Sequence, residues 1–166
     1  MKHRYFSLAL LAAAVALAMT TTGAVYAIPV PAGATLSIHL VNPLSSASAT
    51  VGQTFAITGA KALLVQGRVV VFEGTPGQGH VVAVNPSSKK AKASIVLQFD
   101  WITAVDGKQL QLAGAKTDKG FSPLTIGAGG IMADQFAKAK SIDIGSDLIL
   151  TAYSSSDQQV TVSSSS

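Results

Sequence analysis

Apolar and polar residues alternate in several segments of this chain. Leu36, Ile38 and Leu40 alternate with polar residues within residues 35–41, which predicts a strand with one buried and one solvated face. The longest alternating segment covers residues 93–102 and places five apolar side chains on one face: Ala93, Ile95, Leu97, Phe99 and Trp101. We therefore predict that this strand is central to the core. The alternation of this strand places Trp101 in the core. The alternative is that Trp101 stacks on a sugar.

Short turn signals separate these segments: Asn42-Pro43, Gln66-Gly67, Glu73-Gly74-Thr75-Pro76, Asn85-Pro86-Ser87-Ser88 and Asp106-Gly107. Asp106-Gly107 predicts a tight hairpin between residues 101–105 and 108–112, because this dipeptide readily takes positive φ angles. The valine-rich residues 68–72 and 81–84 lack strict alternation, which predicts strands buried on both faces. Several strands at this spacing predict an all-β fold, a single small barrel or sandwich.

Residues 114–141 interrupt the strand pattern and predict a long connection. Met132 and Phe136 lie four residues apart within residues 131–140, as on one face of a short helix. The sequence therefore predicts a helix here whose apolar face covers an open end of the barrel. The alternative is that Met132 and Phe136 dock a partner or a membrane surface.

The N-terminal segment has the pattern of an export signal. Lys2, His3 and Arg4 precede an apolar run over residues 8–19, and Val25-Tyr26-Ala27 places small residues where signal peptidase cleaves. An uncleaved membrane anchor is the alternative, but it needs roughly 20 apolar residues and only about a dozen precede Thr20-Thr21-Thr22-Gly23. We predict a signal peptide over residues 1–27, one domain over residues 28–162, a disordered serine tail over residues 163–166, and a periplasmic or extracellular location.

Charge and cysteine content narrow the function classes. The chain has 12 basic and 8 acidic residues, and loss of Lys2 and Arg4 with the signal leaves ten basic residues and a net charge of +2. This balance argues against a nucleic-acid partner, since nucleic-acid binding depends on a dense basic face. The chain contains no cysteine, so the fold is predicted to depend on core burial without disulfides or a lipid-modified N-terminus.

Few residues of the predicted domain suit catalysis. It contains two histidines, His39 and His80, and one glutamate, Glu73, and no Gly-x-Ser-x-Gly elbow for a nucleophilic serine. A metal site made by His39, His80 and Asp100 is conceivable, but no close histidine spacing supports it. We therefore predict no catalytic residues, no cofactor and no metal.

Lys89, Lys90 and Lys92 cluster after the Asn85-Pro86-Ser87-Ser88 turn. Such a cluster either solvates a hairpin tip and protects a sheet edge or meets anionic headgroups, phosphorylated sugars or acidic envelope polymers. With Met132 and Phe136, these lysines form the predicted surface for a ligand or partner.

A glycine-centred pattern recurs at the two ends of the predicted domain. Residues 30–38 resemble residues 142–150 in carrying an apolar residue, two further residues, glycine, and then an alternating strand. Side-by-side pairing of residues 30–40 with residues 142–153 would close a barrel.

The order of motifs resembles that of a known envelope family. PAGATLSI, RVVVFEGTPGQGHVV, a long strand ending in Trp101, Asp106-Gly107 with LQL, Asp118 with Gly120, and IDIGSDLIL follow one another. This order resembles the C-terminal β-barrel domain of the channel-scaffold subunit of type IV secretion and conjugation machines, over about residues 31–162. The family's cytoplasmic segment, membrane anchor, Pro-rich linker and outer-membrane helices have no counterpart here. The resemblance implies a shared barrel and an envelope setting without channel formation.

These observations predict an exported, non-catalytic envelope structural or protein-interaction module. Its expected partner is an envelope protein or polymer, and a peripheral membrane contact is a further option. The alternative is a periplasmic or extracellular binding module that captures a glycan or small anionic ligand. That ligand would bind at a barrel mouth bordered by Lys89, Lys90 and residues 114–141.

Overall fold

The structure is a computed structural model that describes residues 23–89 and 91–164. The predicted signal falls mostly on residues 1–22, which with Lys90, Ser165 and Ser166 lie outside the described residues. Within the described ranges the chain forms fifteen strands: β1 (Val25–Val30), β2 (Thr35–Leu40), β3 (Leu44–Ser45), β4 (Thr54–Gly59), β5 (Leu63–Val65), β6 (Arg68–Val71), β7 (Pro76–Asn85), β8 (Ser94–Thr103), β9 (Gln109–Ala113), β10 (Ala115–Thr117), β11 (Gly120–Ser122), β12 (Leu124–Gly127), β13 (Asp143–Ile144), β14 (Leu150–Ser154) and β15 (Gln158–Ser163).

Six of these strands close into an antiparallel barrel. The order is β8, β7, β4, β2, β14 and β9, and β9 pairs again with β8. β2 lies beside β14, with Ile38 opposite Leu150, so parts of the two glycine-centred segments pair side by side. The all-β prediction is therefore confirmed, and the architecture is a barrel, with β12 as an extra strand on β8.

The barrel interior is filled by alternate side chains of its strands. Leu36, Ile38 and Leu40 of β2 are buried, as predicted from their alternation, and so are Leu97 and Phe99 of the long β8. The Phe99 ring meets the edge of the Phe55 ring at 6.3 Å between centroids. Because the inward faces of the strands carry apolar side chains that pack against one another, core burial stabilises the barrel without disulfides.

Trp101 departs from the predicted phase of β8. Phe99 pairs with Gly79 and Trp101 pairs with Gln78, so Asp100 is an extra residue on β8 and forms a bulge. The bulge reverses the alternation of the residues that follow it. Ile102 is therefore buried, on the face that Trp101 would have occupied without the bulge. The prediction of a core Trp101 is therefore wrong, and this residue is half-buried.

The predicted helix over residues 131–140 is also wrong. This segment consists of consecutive turns, and the described residues contain no helix. One hydrogen bond from the Phe136 amide to the Met132 carbonyl, 3.2 Å, has helical spacing, but Met132 has a φ of 58°. A residue in the left-handed conformation at the first turn prevents the helix from extending, and a single helical turn is not stable alone.

The two ends of the described chain pair with each other. β1 runs antiparallel to β15, from Val25 opposite Ser163 to Val30 opposite Gln158. The Ser164 amide extends this ribbon by donating to the Ala24 carbonyl at 2.9 Å. The ribbon therefore includes residues 25–27, which the sequence assigned to the signal, and residues 163–164, which it assigned to a disordered tail.

Candidate interaction surface

A gap between β12 and β14, lined by Leu124 and Leu150 among others, lies beside the closed ring of six strands. β7 occupies one edge of β8, and β12 and β9 share the other, beside Ser94–Leu97 and Trp101–Thr103 respectively. β14 pairs with β9 through only two residues, Tyr153 and Ser154. The described residues show no pairing of β12 with β14. Residues 114–141, which were predicted to interrupt the strand pattern, contain β10, β11 and β12, so the connection without strands is limited to residues 128–142.

Residues 131–136 of the long connection cover this gap. Ile131 bridges Ile126 at the outer edge of β12, and its amide donates to the Thr125 carbonyl at 2.9 Å. Met132 and Phe136 are half-buried and pack against the core. The two side chains therefore pack on the core, but they come from turns and lie at a side of the barrel, not on a helix over an open barrel end as predicted.

A groove of 570 Å³ lies along these two side chains. Its lining combines apolar, neutral polar and acidic residues: Met132, Gln135, Phe136, Asp143, Gly145, Asp147, Leu148 and Ile149. Ile149 is 55% exposed. We call this feature the acidic groove, because Asp143 and Asp147 line it together with the apolar side chains of Met132, Phe136, Leu148 and Ile149. A second cavity of 370 Å³ shares Met132 and Ile149 with it and continues towards Tyr153.

Asp143 reaches the acidic groove through strand pairing distant in sequence. β13 pairs with β3, which places Asp143 opposite Ser45. The Ser45 hydroxyl donates to one carboxylate oxygen, and the Ser141 hydroxyl donates to the other at 2.9 Å. These two hydrogen bonds, the one from Ser45 first, lower the pKa of Asp143 and outweigh the opposing effect of burial. The groove therefore carries an oriented negative charge.

We expect Ser45→Ala to raise the pKa of Asp143 towards its ordinary value, because the larger of the two stabilising hydrogen bonds is lost. Since the folded-state pKa is lowered, ionised Asp143 stabilises the fold above the carboxyl's unfolded pKa. This contribution is lost as the pH falls through the folded pKa. An NMR titration of the Asp143 carboxyl carbon measures the shift. Ser146→Ala, which removes a hydroxyl from the following loop, is the control, and an equal shift in both variants would contradict the assignment.

The predicted lysine cluster lies elsewhere. Lys89 and Lys92 are exposed and do not line the acidic groove, and Lys90 lies outside the described residues. The Ser87 hydroxyl donates to the Lys140 carbonyl at 2.9 Å, so the loop that carries Lys89 contacts the end of the long connection. The structure thus groups Met132 with Phe136 but leaves Lys89 and Lys92 outside that group.

His80 and Asp100 meet on the outside of the barrel. The His80 Nδ1 atom lies 2.9 Å from one Asp100 oxygen and 3.0 Å from the other. His39 does not join them, because it lies on β2, paired with Thr58, and β4 separates β2 from β7. Among the described residues no group of three or more His, Cys, Asp or Glu side chains could hold a metal ion.

Sequence reasoning missed a larger groove beside the terminal ribbon. It measures 750 Å³ and is lined by residues of β1, β6, β15 and two loops, among them Val25, Arg68, Phe72, Val105 and Asp106. Val25 is 65% exposed and Phe72 is 58% exposed. Assigning Val25 to the signal hid this feature, because the segment was then absent from the predicted domain.

The described ranges contain no helix with the length and hydrophobicity that a membrane crossing requires. Comparison with protein-family models, with curated proteins and with solved structures found no match to this chain.

Proposed function

We propose that this chain is an exported, non-catalytic module of the cell envelope that binds another polypeptide through the acidic groove. The observation that carries this proposal is the oriented Asp143 carboxylate beside the apolar side chains of Met132 and Phe136. Such a combination suits a segment in which a lysine or arginine adjoins an apolar residue. The apolar residue would fill the groove while the cation pairs with the carboxylate.

The chemistry of the groove favours a polypeptide as its occupant. Methionine and phenylalanine are typical of protein interfaces, and the flexible methionine adapts its shape to different apolar partners. The serine hydroxyls each use one lone pair of Asp143, which leaves further acceptor capacity for a basic side chain. An anionic ligand would meet like charge here, so the groove favours a basic polypeptide segment over a small anionic ligand.

Export is supported by the basic start, the apolar run and the small residues before Ile28. The absence of cysteine is compatible with a fold that needs no oxidative maturation, and the family resemblance implies an envelope setting. Cell fractionation with N-terminal sequencing tests this part of the proposal. We expect recovery from the envelope or medium with Ile28 as the first residue, and the intact precursor in the cytosol would contradict it.

We expect short peptides that place leucine next to arginine to bind the purified protein in a fluorescence titration. Ile149→Ser should weaken binding about tenfold, because Ile149 lines the groove and is exposed enough to be changed without opening the core. Asp143→Asn should weaken binding of the arginine peptide and leave an otherwise identical norleucine peptide unaffected.

Matched controls are available outside the groove. Val51→Ser changes an exposed apolar residue, and Asp118→Asn removes an exposed carboxylate, so both should bind the arginine peptide as the unchanged protein does. Equal losses in the groove and control variants would contradict the site. Saturable thermal stabilisation by one glycan or anionic metabolite, with no peptide binding, would instead favour the ligand-binding alternative.

A further inference from the structure

The terminal ribbon joins residues from both sides of the expected cleavage position. Val25, Tyr26 and Ala27 pair with Ser163, Val162 and Thr161, whereas Ile28 pairs with Val160. All three residues before the cleavage position are exposed, and Ile28 and Val30 after it are buried. Cleavage before Ile28 would therefore remove half of β1 without removing a buried side chain from the core.

β15 is attached to the barrel independently of β1. The Thr161 amide donates to Asp106 at 3.0 Å, and Asp106 belongs to the hairpin loop between β8 and β9. Gln158 accepts from the Gln111 amide at 2.7 Å and donates to the Gln111 carbonyl at 3.1 Å. Because these bonds hold β15 from the barrel side, the strand is expected to keep its position when residues 25–27 are removed.

The hydrogen-bonding direction of β15 identifies the groups that cleavage would expose. Amides point to opposite edges of a strand in alternation, and the Thr161 amide points to Asp106, away from β1. The backbone amide and carbonyl of Val162 must therefore point towards β1, where Val162 forms a hydrogen-bonded pair with Tyr26. The Ser164 amide points the same way and donates to the Ala24 carbonyl. Without residues 25–27, the backbone amide and carbonyl of Val162 lose their strand partner. We call this backbone, from Thr161 to Ser163, the β15 edge.

The surroundings of the β15 edge specify which side chain fits against it. The guanidinium carbon of Arg68 lies 4.6 Å from the centre of the Tyr26 ring, a distance at which the cation attracts the aromatic face. Phe72 and Val105 line the adjacent groove of 750 Å³. The position now held by Tyr26 therefore suits an aromatic residue, and the flanking groove suits apolar neighbours.

We propose that cleavage before Ile28 turns the β15 edge into a receptor for an extended segment of another exported polypeptide. That segment adds antiparallel to Val162 by main-chain hydrogen bonds and places an aromatic side chain against Arg68, as Tyr26 does in the uncleaved chain. The observation that argues for this occupant is the chain's own residues 25–27, which are an extended apolar and aromatic segment on the same edge. This inference rests on the proposed export, because the β15 edge is unpaired only after cleavage before Ile28 has removed residues 25–27.

A synthetic peptide with the sequence of residues 21–27, TTGAVYA, is the probe. We expect it to bind the processed chain that begins at Ile28, and to bind a chain that begins at Gly23 at least tenfold more weakly, because its own residues 25–27 occupy the edge. A peptide with proline at the position of Tyr26 should bind the processed chain at least tenfold more weakly, since proline removes the amide that pairs with Val162. Arg68→Gln should weaken binding of the unmodified peptide about threefold.

Equal binding of the two peptides, or equal binding by the two chain forms, would overturn the inference. A concentration-dependent dimer of the processed chain that excludes the peptide would overturn the choice of a different polypeptide as occupant. N-terminal sequencing of the exported protein separates the two proposals. A mature chain that begins at or before Val25 overturns the β15 edge as a receptor and leaves the acidic groove intact, whereas retention in the cytosol contradicts the proposed export itself.

Discussion

Replacing Phe99 with alanine is expected to lower the free energy of unfolding by about 3–5 kcal/mol. The Phe99 side chain is fully buried in the barrel and makes an edge contact with the Phe55 ring. Its removal would leave a cavity that closed strands cannot readily collapse around. The whole fold of a domain this size is worth only about 5–15 kcal/mol, so a large share of the stability would be lost. Urea denaturation followed by circular dichroism measures the loss.

Phe72→Ala is the matched control for this substitution. Phe72 follows β6 and is exposed, so its truncation removes the same group without opening a buried cavity. We expect a change within about 0.5 kcal/mol. Similar losses for both phenylalanines would mean that the interior of the barrel is not the main source of stability.

Gly79→Ala is expected to destabilise the fold by about 1–3 kcal/mol, the usual cost of overpacking. A methyl group at Gly79 would lie 2.5 Å from the Gln98 carbonyl oxygen and 2.6 Å from a Phe55 ring carbon. Gly79 lies opposite Phe55 on β4 and Phe99 on β8, next to the bulge at Asp100. The methyl group would therefore push the Phe55 ring and β8 away from β7. Thermal unfolding measures the loss, and amide exchange along β8 shows whether it is local to the bulge.

Gln78→Ala tests whether the effect is specific to the position. Gln78 is the preceding residue on β7 and points to the other face, where it is half-buried. Its truncation should change stability by no more than about 0.5 kcal/mol. Faster exchange of the β8 amides in the Gln78 variant than in the Gly79 variant would contradict the close approach at Gly79.

The local sequence pattern correctly predicted β2 and the turn between β8 and β9. The alternation in residues 35–41 matches β2, which has one buried face along its whole length. The Asp106-Gly107 turn joins β8 to β9, with Gly107 at a φ of 79° and its amide donating to the Ala104 carbonyl at 2.9 Å. Both features depend on residues close in sequence, so the sequence pattern contains the information that determines them.

Features that depend on distant residues were not predicted. The bulge at Asp100 arises where β8 meets Gly79, and it moved Trp101 out of the core. Val82 was predicted to lie in a strand buried on both faces, yet it is exposed, because the pairing of β7 with β8 shifts register between Val81 and Ala83 and leaves Val82 as an extra residue. The local pattern could not distinguish these cases, since both outcomes depend on which strand lies alongside.

The residues of the candidate site also divide into those that a local pattern indicates and those whose role depends on distant residues. Met132 and Phe136 stand out in the sequence because they are large apolar residues in a polar connection. Asp143 does not, because its role depends on Ser45, 98 residues away, through the pairing of β13 with β3. The β15 edge was hidden for a different reason, since the boundary drawn at Ala27 cuts through a strand.

The pairing of β2 with β14 also determines when the protein can fold. Ile38 lies opposite Leu150, so a chain made from its N-terminus cannot complete the ring until β14 has been synthesised. Joining such distant segments costs loop entropy and makes folding slow compared with that of local helical structures. During synthesis, β2 can pair with β4 but keeps its other edge unpaired until β14 is made. Late completion of this kind is compatible with the proposed export, in which the chain would cross a membrane unfolded and take its shape only on the far side.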